Sequence, residues 1–100
     1  MEPERIIVEA IAQQRCLSAS YNKGRVLLAP HILYRRHDDL YVDAVTIARD
    51  GAAPRETRLG TFKIQGLSEP RLEPDRFSRF ADFQSGDAKY AGATLLAIGA

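Results

Sequence analysis

The first residues of the chain carry apolar side chains at helical spacing. Pro3 stands near the first helical position, and acidic residues fill the first turn, where the helix dipole favours negative charge. Positions three and four residues apart share a helix face, and one such face contains Ile7, Ala10, Ile11 and Gln14. The pattern predicts an amphipathic helix over residues 2–15, with an apolar stripe that a sheet must cover.

From Leu17 onward the spacing changes to the period of a β-strand. Polar and apolar residues alternate over residues 17–21, and Asn22-Lys23-Gly24 supplies the residues of a tight turn into residues 25–29. Because Pro30 cannot donate a ladder hydrogen bond, it marks an edge, a bulge or a bend. We therefore predict a hairpin, followed by either two strands or one bent strand up to Arg36.

The middle of the chain repeats the strand pattern. A charged turn at residues 37–39 opens it, and a loop with Gly and Pro at residues 48–56 interrupts it. Three further strands are predicted, over residues 40–47, 57–64 and 67–72, the last interrupted by Pro70.

This order of elements defines the expected architecture. One helix and five short antiparallel strands are too few for a sandwich, whereas a small barrel hides strand edges and buries one face. The predicted fold class is mainly β, with an N-terminal helix, a small five-stranded antiparallel barrel and a C-terminal extension. We place the barrel domain at residues 1–75 and the extension at residues 76–100.

The extension is rich in aromatic residues, and two interpretations of it stay open. Phe77, Phe80 and Phe83 are spaced by three, which suggests a helical turn, whereas residues 87–100 fit either helix or strand. The extension either packs on the barrel or, together with Tyr90, forms a surface for a partner. Since a barrel of this size buries little area alone, we predict a homodimer through this segment.

Composition narrows the class of protein. One hundred residues suit one domain, and 45% hydrophobic residues with 27% charged residues are typical of a folded chain. The net charge of +1 excludes a strongly basic nucleic-acid clamp but leaves room for a local basic face. Cys16 has no disulfide partner, no metal-ligand spacing occurs, and neither a leader nor an apolar span is visible. We expect a cytoplasmic protein without cofactor, metal or membrane contact.

Several segments between residues 6 and 72 resemble, in their order, the WYL domain family of bacterial regulators. After the amphipathic helix come a strand ending in Tyr21, the run of residues 25–34, the triplet Leu40-Tyr41-Val42 and the strand of residues 58–64. The family triplet is Trp-Tyr-Leu, so only the tyrosine is shared, and Lys63-Ile64 stands where an Arg-Ile pair is common. The resemblance implies an Sm-like barrel that senses a ligand in transcription or defence. Family members commonly carry a winged-helix DNA-binding segment and a further C-terminal domain; neither is visible here, which implies a free-standing domain or a truncated regulator.

One group of side chains is predicted to line a ligand groove. The tyrosine of the triplet can stack on a base while its hydroxyl bonds a phosphate, and guanidinium groups match phosphate or carboxylate geometry. The resemblance implies ligand contact for Arg25 and Arg58. The predicted groove contains Tyr21, Arg25, His31, Tyr41, Arg58 and Lys63. The alternative is a packing tyrosine, a solvated basic face and a structural, half-buried His31.

These residues favour a binding function over an enzyme. We predict a non-catalytic domain that senses a nucleotide, a single-stranded oligonucleotide or another anionic ligand. The rival is a structural or oligomerisation module with solvated basic residues. A hydrolytic set of Ser18 or Ser20 with His31 and Asp43 lacks the nucleophile-elbow motif, and we expect no catalytic residues.

Overall fold

The computed structural model describes residues 3–99, which form one helix and an antiparallel sheet. The helix is α1 (Pro3–Gln13), and the strands are β1 (Arg15–Tyr21), β2 (Gly24–Arg36), β3 (Asp39–Arg49), β4 (Leu59–Lys63), β5 (Ser68–Arg76) and β6 (Thr94–Ala97). Two single 3₁₀ turns, Ile64–Gly66 and Ala88–Tyr90, complete the elements. Within residues 3–99 no helix has the length and hydropathy needed to cross a bilayer.

Helix α1 packs as its sequence pattern predicts, but it is shorter than expected. Ile7, Ala10 and Ile11 are buried on one face. The helix ends at Gln13, because Gln14 adopts a left-handed backbone with φ of 51° and turns the chain directly into β1. The predicted start at Glu2 lies outside the described residues.

Two tight turns set the register of the first three strands. Tyr21 pairs with Gly24, which leaves only Asn22 and Lys23 between β1 and β2, and both have positive φ, 47° and 66°. The next turn repeats this geometry: His37 and Asp38, with φ of 51° and 67°, form the loop between β2 and β3. Two successive positive φ values define the type I′ hairpin, whose twist matches that of the flanking strands. The predicted hairpin is confirmed.

The central strand β2 is long and bent. Its first half pairs with β1, its last residues pair with β6, and β3 accompanies it along most of its length. The register on β3 shifts between Pro30 and Ile32, so the proline sits beside a bulge, as a residue without an N–H does in a sheet. Residues 25–36 are therefore one bent strand.

The sheet curls strongly but stays open. Its strand order is β4-β3-β2-β1-β5, with β6 added on β2. The short turn Ile64–Gly66 connects the two outer strands, and the rings of Tyr21 and Phe62 lie 5.1 Å apart although β1 and β4 are not neighbours. Among the described residues no ladder joins β4 to β5. A closed Sm-like barrel is not confirmed, and the strand count is six rather than five, because residues 94–97 form a strand.

The sheet is covered on both faces. The inner face packs on α1 through residues such as Leu17 and Leu28. On the outer face lies a second cluster of Cys16, Ala29 and Val45, against which residues of the C-terminal segment pack, notably Phe77 and Phe80. We call residues 77–93 the strap. The predicted helical turn over residues 77–83 is wrong, because this part is irregular, with one turn closed by the Phe83 N–H and the Phe80 carbonyl.

Candidate functional site

A fully buried carboxylate organises the outer face of the sheet. The Asp43 side chain lies on β3 with 0% of the residue exposed. Its Oδ1 accepts hydrogen bonds from the hydroxyls of Tyr34 and Thr61, each at 2.8 Å, and its Oδ2 accepts one from the Tyr90 hydroxyl at 2.5 Å. The ammonium of Lys89 lies 3.2 Å from Oδ2. This network links β2, β3, β4 and the strap at one point.

The surroundings of Asp43 set the protonation states of the network. Burial alone raises the pKa of Asp43, but the hydrogen bonds from Tyr90, Tyr34, Thr61 and Lys89 outweigh it and hold that pKa below its usual range. Burial and the bond to Asp43 raise the pKa of Tyr34 to about 12, and the same causes raise the pKa of Tyr90. At neutral pH the carboxylate is therefore charged and both phenols are neutral donors.

Tyr41 lies at the edge of this network with its ring partly exposed. It is opposite Tyr34 on β2 and opposite Lys63 on β4 in the ladder registers. The rings of Tyr41 and Tyr34 are stacked, with centroids 6.0 Å apart and planes at 25°. Because Tyr90 packs edge-on against Tyr34 at 5.1 Å, the ring beneath Tyr41 is held from behind. The half-buried Tyr41 thus has a fixed aromatic support.

Three cations lie beside the stacked rings or their support: Lys63 is the ladder partner of Tyr41, Arg36 lies over Tyr34, and Lys89 contacts Asp43. The Lys63 ammonium lies 3.3 Å from Asp39 Oδ2 and keeps 44% of its side chain exposed. The guanidinium carbon of Arg36 lies 5.4 Å from the ring centroid of Tyr34, within cation–π range. Lys89 keeps 45% of its side chain exposed. We call this set the tyrosine surface: Arg36, Tyr41, Lys63 and Lys89, supported by Tyr34.

Only some of the residues predicted to line the groove lie close together in the structure. Tyr41 and Lys63 are adjacent in the ladder, as a shared site requires. Tyr21 instead packs its ring edge-on against Phe62, across the curl of the sheet. The contact of Tyr21 with Phe62 is therefore one of packing.

The two arginines of the predicted groove are held by different partners. Arg25 donates to the hydroxyls of Ser18 at 2.9 Å and Ser20 at 3.1 Å, and it lines a cavity of about 200 Å³ that contains none of the other predicted residues. That volume is below the range usual for ligand sites. Arg58 precedes β4 in an exposed loop and pairs with Glu56 at 2.8 Å. A groove common to Arg25 and Arg58 stays a prediction.

His31 is buried and both of its ring nitrogens are occupied. The residue is 1% exposed, and the backbone N–H of Phe80 donates to Nε2 at 2.9 Å. Nδ1 therefore carries the proton and donates to the Ala29 carbonyl at 2.8 Å. Burial lowers the pKa of His31, the bond to Ala29 opposes this, and nearby Arg79 lowers it further. His31 is not open to a ligand in this arrangement, contrary to its predicted place in the groove.

The imagined hydrolytic set is not assembled. Ser18 donates to the Glu73 carboxylate at 2.6 Å, whereas His31 bonds to Ala29 and Phe80. Asp43 is committed to the two tyrosines of its network. No hydrogen bond connects the serine, the histidine and the aspartate.

Several residues of the site escaped sequence reasoning. One signal was present: Asp43 interrupts an apolar strand two positions after Tyr41, so both point to one face, and aspartate is rare inside strands. The partners Lys89 and Tyr90 had no such signal, because Tyr90 lies 47 residues from Asp43 in the chain.

Comparison with protein-family models, curated proteins and solved structures returns no match for this chain. The resemblance to the WYL family therefore stays a prediction, and the tyrosine surface is the feature of this chain that indicates a function.

Proposed function

We propose that this chain is a non-catalytic ligand-binding domain that recognises a nucleotide, an oligonucleotide or another anionic ligand on the tyrosine surface. A base stacks on the exposed side of Tyr41, and the phosphates contact the cations around it. The resemblance to the WYL family adds a regulatory role in bacterial transcription or defence, in the cytoplasm.

The observation that carries this proposal is the supported ring of Tyr41. A stacking platform binds best when it loses little freedom on binding, since each immobilised side chain costs affinity. Tyr34 already restrains Tyr41 from one side, and its own hydroxyl is anchored on the buried Asp43. The free side of the ring is thus oriented before a ligand arrives.

The cations near Tyr41 offer contacts to an anion. Arg36, Lys63 and Lys89 stand beside three carboxylates, Asp39, Asp43 and Asp87, of which Asp43 is buried. The partly exposed lysines retain donors that phosphate oxygens can use. Recognition of this kind weakens as salt rises.

The test is a titration of the full chain with single-stranded oligonucleotides and mononucleotides at two salt concentrations. Base stacking on an aromatic residue contributes roughly 1–3 kcal/mol, so we expect Tyr41→Ala to weaken binding about tenfold. We expect Lys63→Gln to lower the salt slope by about 0.7, the value for one phosphate contact on a single strand.

Arg55→Gln is the matched control, because this exposed cation lies in the loop between β3 and β4, outside both the tyrosine surface and the predicted groove. It should leave both affinity and slope near the wild-type values. Wild-type affinity in Tyr41→Ala would contradict the proposal, as would binding that ignores salt.

The second candidate is an oligomerisation module, and one observation bears on it. The aromatic side chains expected at a dimer surface are turned inward: Phe83 is 1% exposed and Tyr90 is 2% exposed. In β6, however, Leu95 is 52% exposed. Homodimerisation therefore stays a prediction that would use Leu95. Light scattering should then give a dimer for the wild type and a monomer for Leu95→Lys, and a monomeric wild type would end this alternative.

A further inference from the structure

We propose that residues 77–83 of the strap are an acid-released cover, and that protonation of His31 detaches them from the outer face of the sheet. The proposal does not depend on any ligand of the tyrosine surface. It concerns the covering contact between His31 and Phe80.

The hydrogen bonds of His31 require a neutral ring. Nε2 must offer a lone pair to the backbone N–H of Phe80, because that N–H lies 2.9 Å away. Protonation places a hydrogen on Nε2, so two donors then face each other across the contact. Nδ1 has no freedom to compensate, since its hydrogen already bonds the Ala29 carbonyl at 2.8 Å. The Phe80 N–H loses its partner unless the cover moves away.

The strap also makes the surroundings of His31 unsuited to a cation. The rings of Phe77 and Phe83 each lie 5.1 Å from the imidazole, so its surroundings are mainly apolar. The strap adds a cation, Arg79, whose charge acts on the ring. An imidazolium held under the cover would meet poor solvation and a like charge.

The other elements packed on His31 offer it no negative charge that is free to move. On β3 the nearest acidic register position is Asp43, opposite Ile32, and its carboxylate is committed to tyrosines, Thr61 and Lys89. From β1 the titratable group in this cluster is Cys16, whose pKa is raised by burial and by the carboxylates of Asp75 and Glu73 on β5, so it stays a neutral thiol. The charge that acts on His31 itself is that of Arg79. Beyond β6, Ile98 donates its N–H to the His31 carbonyl. Relief of a buried imidazolium therefore requires solvent.

Apart from this contact, the cover is held by the packing of its phenylalanine rings, of which Phe83 is 1% exposed, and by hydrogen bonds at its start. At its start Phe77 exchanges hydrogen bonds with Gln14, at 3.0 and 3.3 Å. The far end of the strap is anchored at Asp43 through Tyr90, and that carboxylate titrates well below the range of a histidine. Acid therefore opens residues 77–83 and leaves the anchor at Tyr90 in place.

The direction of the pH dependence follows from the two states of His31. Under the cover its pKa is lowered, and in the open state it returns to about 6.5. Above that pH both states are neutral and the cover has its full stability. As pH falls below it, the open state binds the proton first, and the ratio of covered to open molecules drops about tenfold per pH unit. This ratio stops falling once the pH reaches the lowered pKa that His31 has under the cover.

Hydrogen exchange of the Phe80 amide, followed by NMR on the full chain from about pH 5 to 7.5, tests the proposal. After correction for intrinsic exchange, we expect the wild-type opening to rise about tenfold per pH unit below about pH 6.5. In His31→Gln the side-chain oxygen accepts the Phe80 N–H and the side-chain amide can serve Ala29, without titration, so the rise should vanish. His37→Gln is the matched control, because His37 is exposed in a turn, and it should keep the rise.

The proposal is overturned if the corrected exchange rate of the Phe80 amide does not change with pH in the wild type. It is also overturned if the same rise at low pH occurs in His31→Gln. Should His31→Gln fail to fold, the wild type and His37→Gln decide. The ¹⁵N shifts of the His31 ring must then show the Nδ1–H tautomer and a midpoint below about 6.5. A His31 ring that is protonated at neutral pH refutes the cover outright.

Discussion

At the scale of single residues, the pair Tyr41 and Lys63 differs from His31 in how far the sequence predicts its surroundings. Tyr41 and Lys63 lie opposite each other in the β3–β4 ladder, a proximity that the two strand predictions already imply. His31 was misplaced in the groove, because its role depends on a backbone N–H that lies 49 residues away. Residue type predicted the chemistry of these groups, whereas their accessibility depended on a covering segment that local pattern does not reveal.

Removing the charge of Asp43 should destabilise the fold. In Asp43→Asn one oxygen becomes an NH₂ group, so the hydroxyl of Tyr34, Thr61 or Tyr90 loses its acceptor. We expect the free energy of unfolding to fall by about 3 kcal/mol, measured by urea denaturation. The control is Asp39→Asn, which breaks only the partly exposed pair with Lys63 and should cost under about 1 kcal/mol. Equal effects would contradict the central role of Asp43.

Protonation of the Asp43 carboxylate should make the folded protein less stable at low pH. The pKa of Asp43 is lowered in the fold, so its contribution is present above the unfolded value of about 3.9 and is lost as pH falls through the folded value. We expect stability to drop below about pH 4 in the wild type. In Asp43→Asn the drop should be shallower, as followed by circular dichroism against pH. An identical acid slope in both proteins would exclude Asp43 as the cause.

At the scale of elements, the hydrophobic period predicts the helix and the strands whose formation depends on residues close together in the sequence. Helix α1, the strands through β5 and the bend beside Pro30 follow from local spacing and turn chemistry. At strand β6 the pattern fits either helix or strand, because residues 94–97 are too few for a period to show and pair with the distant residues 32–34 of β2. A closed barrel would require a hydrogen-bonded ladder between β4 and β5, and the local sequence pattern does not predict whether that ladder forms.

One residue in the turn of the β1–β2 hairpin has a strained backbone conformation that a substitution by glycine should relieve. Lys23 occupies a left-handed position with φ of 66°, where a side chain costs about 1 kcal/mol and glycine costs little. Lys23→Gly should therefore raise Tm by about 5 °C in a thermal melt. Lys23→Ala retains a Cβ and should change little. A lower Tm for Lys23→Gly would show that the turn geometry differs.

At the scale of the whole molecule, two covers complete one curled sheet. Helix α1 packs on the inner face, and the strap packs on the outer face before the chain returns as β6. The second cover decides which predicted site residues are reachable: it buries His31 and adds Lys89 beside Tyr41's stacked partner. This division explains why the mainly β class was predictable and the composition of the site was only half predictable.

The long reach of the strap has a consequence for biosynthesis. During translation β1 to β3 leave the ribosome first, while the donors for His31 and Asp43 are still 49 and 47 residues behind. Domains acquire structure from the N-terminal side as synthesis proceeds. A nascent chain that has emerged only through β5 thus displays an outer face on which His31 Nε2 and Asp43 Oδ2 still lack their donors from the strap. The strap is the segment that excludes water from this face, so a ribosome stalled before Tyr90 carries a sheet in which Tyr34 lacks the ring that packs behind it.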